Sequence, residues 1–133
     1  MGGSGVYKRG FDFPNEGFIQ RAIEEYFLKL GCKQINEKFS DFVCINPNTN
    51  EKWVVEAKGV TKAIGLDFRT CLGQLVQRID SRNTKYAIAL PNLDNYTKQC
   101  RTVKQWVRKE LQIYWLLVDK DGRVMIFSPD DEL

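Results

Sequence analysis

Between Phe42 and Leu90 the hydrophobic period of the chain changes twice, and this constrains the fold more than any other feature. Phe42–Ile45 is a short apolar run closed by Pro47-Asn48-Thr49-Asn50, a cluster of turn formers. Lys52–Lys58 (Lys-Trp-Val-Val-Glu-Ala-Lys) is a second strand-like run, so the two read as a hairpin. Gly65 then opens a segment of helical period, with Phe68, Cys71, Leu72, Leu75, Val76 and Ile79 at its apolar positions. Tyr86–Leu90 returns to a continuous apolar run, bounded by Pro91-Asn92. A helix between two such strands is a crossover, which requires a mixed sheet with helices packed on it.

The flanks extend this pattern. Upstream, Phe18, Ile19, Ala22, Ile23, Tyr26, Phe27 and Leu30 recur at helical spacing, with Asn15 placed to cap the start and Gly31 to end it. Lys33–Phe39 reads as a short strand. Downstream, Asp94–Leu111 reads as one surface helix carrying Lys98, Arg101, Lys104, Arg108 and Lys109. Ile113–Val118 and Val124–Phe127 flank Asp121-Gly122, a short hairpin signal. The expected order is α-β-β-β-α-β-α-β-β, an α/β fold with a mixed central sheet flanked by helices.

Composition narrows the chemistry. The chain has no histidine, which excludes Ser-His-Asp and Cys-His nucleophiles, histidine acid–base catalysis and every histidine metal site. Any catalysis falls to carboxylates, lysines or hydroxyls. The 133 residues, 43% of them hydrophobic, suffice for one domain with its own core. We assign 6–133 to a single domain and read the opening Met-Gly-Gly-Ser-Gly, residues 1–5, which lacks the form of a signal peptide, as an artificial remnant outside it. Cys32, Cys44, Cys71 and Cys100 include no Cys-x-x-Cys pair and lie in apolar surroundings, so free buried thiols in a reducing cytoplasm are expected. No apolar run approaches the length of a membrane span. A net charge of +3 is compatible with a nucleic-acid partner without arguing for one.

Side chains along Lys52–Lys58 alternate between faces, so Trp53, Val55 and Ala57 point one way and Val54, Glu56 and Lys58 the other. Glu56 and Lys58 thus share a face, about 7 Å apart. Two charges ending an apolar strand are costly to desolvate unless they have partners. Counting back from the Asn48-Thr49 turn sets Asp41 roughly opposite Glu56–Lys58. Two convergent carboxylates suit a hard divalent cation such as magnesium. A lysine beside them can offset the negative charge that builds on a phosphoryl group under attack. This chemistry needs no histidine.

Asp41-x14-Glu56-Ala57-Lys58 resembles the active-site signature of the PD-(D/E)XK nucleases, the restriction-endonuclease-like superfamily. That superfamily places its aspartate at the second core strand and its (Asp/Glu)-x-Lys on the third, within an αβββαβ core that Glu16–Leu90 would match. Ser40 stands where the superfamily often has proline, a departure that leaves the ligand itself untouched. The resemblance implies a magnesium- or manganese-dependent nuclease with Asp41 and Glu56 as metal ligands. The Ala57 carbonyl would be a third ligand, and Lys58 would position or activate water. Gly73-Gln74-Leu75-Val76-Gln77-Arg78 resembles the glutamine motif of the RecB-like branches, with Gln74 the better match and Gln77 second. Many members also carry a metal-facing glutamate on the first helix. Glu16 fits that role, and it fits equally a first-turn acid favoured by the helix dipole.

Lys62, Arg69 and Arg78 are candidate phosphate contacts. The implied partner is DNA, with the domain acting as a homodimer, as in a Holliday-junction resolvase, or inside a larger restriction or recombination assembly. The alternative is a nucleic-acid-binding or regulatory subunit that keeps the fold and does not cut.

Overall fold

The computed structural model describes residues 11–38 and 40–133. The segment read as a remnant, residues 1–5, lies outside that range, as does Phe39. The elements are α1 (Glu16–Lys29), β1 (Lys33–Ile35), β2 (Phe42–Ile45), β3 (Lys52–Ala57), α2 (Ile64–Gln77), β4 (Thr84–Pro91), α3 (Asp94–Arg101), α4 (Gln105–Leu111), β5 (Ile113–Val118) and β6 (Val124–Phe127). The strands form one six-stranded sheet in the order β1-β2-β3-β4-β5-β6. β3, β4 and β5 run parallel, while β1–β2, β2–β3 and β5–β6 are antiparallel. The fold is therefore α/β, with the expected αβββαβ order followed by further helices and a hairpin.

Alternation along the strands fills two separate cores. On one face Phe42, Cys44, Trp53, Val55 and Ala57 pack with Ile19, Ala22, Ile23 and Phe27 of α1. On the other, Val43, Val54, Ile88, Trp115 and Leu117 pack with Phe68, Cys71 and Leu75 of α2 and with Tyr96 and Cys100 of α3. Parallel strands covered on both faces should be continuously apolar, and β4 is buried throughout Tyr86–Pro91. All four cysteines are buried free thiols. No helix among the described residues is long and apolar enough to cross a membrane.

Four expectations need correction. β1 stops at Ile35 rather than Phe39, because β2 begins only at Phe42 and leaves residues 37 and 38 without a ladder partner. The single helix expected over Asp94–Leu111 is two. Both the amide and the hydroxyl of Thr102 turn back onto the Gln99 carbonyl, and Lys104 adopts an extended conformation that restarts the chain as α4. That break lets Gln105 donate to the Asp130 carbonyl and Arg108 to the carbonyls of Ser128 and Asp131. Arg108 is consequently buried, not part of a solvated basic face. Finally, Leu30, expected on the buried stripe of α1, is exposed: it is the C-cap, and Gly31 turns the chain with φ +87°.

Candidate active site

The β2–β3 hairpin sets the register on which the site depends. Asn46 and Glu51 close the turn, and Asn50 takes the left-handed conformation (φ 61°) that asparagine tolerates. Phe42 pairs with Val55, so Asp41, one residue before β2, continues the ladder to Glu56. There its side chain takes the place of a backbone acceptor. The Ala57 N–H donates to Asp41 Oδ2 at 2.8 Å. From the opposite side of the chain, Gln20 Nε2 of α1 donates to the Asp41 carbonyl at 3.1 Å. Asp41 is thus held from a strand and from a helix.

Glu56 is 3% exposed, on the α2 face of β3. Burial, and then the charge of Asp41, push its carboxyl up to about 7, against the opposing pull of Arg78 and Lys58. Arg78 Nη1 lies 3.2 Å from Glu56 Oε2. Neither atom has an aligned hydrogen bond, although both are buried. The two charges touch without the geometry that makes an arginine–carboxylate pair strong. Cys71 lies near the same charges, its thiol pushed up to about 12 by burial and then by Glu56.

Lys58 leaves the strand half-buried, its N–H donating to the Ala89 carbonyl at 3.0 Å. The next residue explains how α1 reaches the site. Gly59 packs directly on the backbone of Asn15 and Glu16, and Val60 N–H donates to the Pro14 carbonyl at 2.8 Å. Tyr96 of α3 donates its hydroxyl to the Gly59 carbonyl at 3.2 Å. Glu16 therefore begins α1 beside the strand exit. Its side chain is exposed, yet its carboxyl is raised, by partial loss of water and then by Asp41, while Lys58 opposes the shift.

Asp41, Glu56 and Ala57 thus meet at the paired ends of β2 and β3, Lys58 and Glu16 act on them through their charge, and Arg78 is added from the end of α2. Gln74 is exposed and makes no side-chain hydrogen bond among the described residues. Lys62 and Arg69 are also exposed, near the start of α2. Gln77 lines a groove of about 210 Å³ with Arg78, Ser40, Lys52 and Asp80. Two residues that touch the site escaped the role they have here. Arg78 continues the buried stripe Phe68, Cys71, Leu75 at helical spacing, and that spacing was the available signal for its pairing with Glu56. Gln20, likewise on the inner stripe of α1, was the signal for the Asp41 anchor.

No group of three or more Cys, Asp or Glu side chains among the described residues forms a ready metal cage. Magnesium does not require one, since it keeps several waters and commonly takes one or two carboxylates. Asp41 and Glu56 fit it: each keeps an oxygen outside the contacts above, and the buried Glu56 Oε2 lacks an aligned donor.

The raised carboxyl of Glu56 predicts a pH dependence of folding. A group whose folded pKa exceeds its unfolded value stabilises at low pH, and that contribution is lost as pH rises through the folded pKa. Metal-free protein should lose thermal stability between the usual 4.5 and about 7, and Glu56→Gln should flatten that slope. Melts across this window in EDTA check it. Equal slopes for the two proteins would contradict the assignment.

No protein-family model and no curated protein sequence matches the chain. Among solved structures it is similar to an XisH family protein from Nostoc punctiforme, with a TM-score of 0.56 and 18% identity, over 80% of this chain and 95% of that one. At that identity the likeness is one of architecture: this chain shares its fold with an XisH family protein.

Proposed function

We propose that the protein is a metal-dependent nuclease that hydrolyses DNA phosphodiester bonds at Asp41, Glu56 and Lys58, with magnesium or manganese as cofactor. The observation that carries this reading is the convergence of two carboxylates and a lysine at the paired ends of β2 and β3, with one carboxylate buried and incompletely satisfied. With Arg78 poorly aligned beside it such a group is expensive to maintain, and a metal cation would complete its coordination.

Asp41 and Glu56 would hold the metal, with the Ala57 carbonyl as a third ligand and Glu16 on the open side. A metal held there would supply Lewis acidity, lowering the pKa of a bound water and polarising a phosphoryl oxygen. The Ala57 amide and Gln20 keep Asp41 aimed, so its orientation need not be found anew in each turnover. Lys58 presents an ammonium where charge develops on the phosphoryl oxygens. Lys62 and Arg69, both exposed, would meet neighbouring phosphates. Gln74 would support the site only by moving toward it from its exposed position.

The test is incubation with supercoiled, linear, branched and single-stranded DNA, in magnesium, manganese or EDTA, beside Asp41→Asn. Cleavage that needs the metal and disappears in the variant is the expected result. Retention of DNA binding without cleavage, in every metal, would favour the non-cleaving subunit instead.

A further inference from the structure

The contact between Arg78 and Glu56 has features a permanent ion pair lacks. A lasting buried pair is stable only when its remaining donors and acceptors are satisfied. Here the closest atoms, Nη1 and Oε2, are buried and without an aligned hydrogen bond on either side. Arg78 is also the C-cap of α2, where the helix has ended. Its side chain is 22% exposed and borders the open groove of about 210 Å³, against 4% for Glu56. Asp80, exposed on the same groove, adds a second carboxylate to its lining. Glu56 is the more deeply buried of the two, and Arg78 borders open space.

We propose that Arg78 is a resident counter-cation for Glu56 that is exchanged for the divalent metal, so that metal binding and release of the guanidinium into the groove are one event. This rests on the metal-site reading above and adds to it a competitor built into the chain. A buried carboxylate beside Asp41 needs positive charge in the metal-free protein, and Arg78 supplies it. A cation bound by Asp41 and Glu56 would meet that same guanidinium at close range, and like charges there oppose each other. Metal affinity in the intact protein is therefore held below what the carboxylates alone would give.

The experiment is calorimetric titration of the full chain with magnesium, without DNA, for wild type, Arg78→Gln, Arg78→Lys and Asp41→Asn. Arg78→Gln should bind magnesium about tenfold more tightly than wild type, because one nearby positive charge is gone. Arg78→Lys, which keeps the charge, should stay close to wild type. Affinity unchanged or weakened in Arg78→Gln, with binding intact in wild type and lost in Asp41→Asn, overturns the exchange and leaves the metal site standing. Absence of magnesium binding in every protein overturns both. Should Arg78→Gln fail to fold, the Arg78 side-chain nitrogen signal of wild type, followed by NMR during the titration, decides instead. A shift that saturates with the metal supports exchange, and a signal that does not move overturns it.

Discussion

Lys58→Ala should lower metal-dependent DNA cleavage by about 10²–10³-fold while leaving the fold and magnesium binding in place. The residue is half-buried at the end of β3, and its backbone N–H, not its side chain, continues the ladder to Ala89. Truncation therefore removes an ammonium from the site without unpairing the sheet. Its loss should appear in kcat more than in DNA affinity, since it opposes charge that is larger in the transition state than in bound DNA. Lys58→Arg should not restore the rate, because a planar guanidinium on a longer reach does not reproduce a compact ammonium. Gel assays of supercoiled DNA with purified variants measure the loss. Cleavage unchanged in Lys58→Ala would assign the activity to a contaminating enzyme and remove the lysine from the mechanism.

Gly59→Ala should be the most damaging small substitution outside the two cores. An added Cβ would lie 2.6 Å from Glu16 Cα and closer still to the Glu16 nitrogen and the Asn15 carbonyl carbon. These are backbone atoms, so no side chain can rotate away, and α1 must shift from the strand exit. Overpacking of this kind costs about 3 kcal/mol, which corresponds to about 10 °C in Tm. Gly73→Ala provides the contrast. That glycine lies inside α2 with nothing within 4 Å of an added Cβ, so alanine there should raise Tm slightly through helix propensity. Melting curves of the two variants check both signs. Equal effects would show that the Gly59 approach is not what holds α1 in place.

Much of this was legible in the sequence because periodicity and turn chemistry are local properties. The alternation in Lys52–Lys58 gave the faces of Trp53 and Glu56, and the Asn-rich turn gave the register that brings Asp41 to Glu56. The break in the expected helix over Asp94–Leu111 was not legible, since Thr102 and Lys104 are individually compatible with a helix. Their conformations go with hydrogen bonds to the distant Ser128–Asp131 segment. The Arg78–Glu56 contact escaped for a related reason. Reading Arg78 as a phosphate contact weighed its charge and not its position on the buried stripe of α2. The close approach of Gly59 to α1 joins segments more than forty residues apart, which no local pattern encodes.

The β2–β3 hairpin also carries a consequence for the order in which the protein assembles. Asp41 and Ala57 are 16 residues apart in sequence, so their meeting is an early, local closure in the microsecond range of hairpin formation. That closure brings two carboxylates together, whereas Arg78 reaches them only with the crossover helix. Left alone, the hairpin would be opposed by its own charge. Docking of α2 is what sets a guanidinium 3.2 Å from Glu56, so the crossover helix supplies the opposing charge that the hairpin itself lacks.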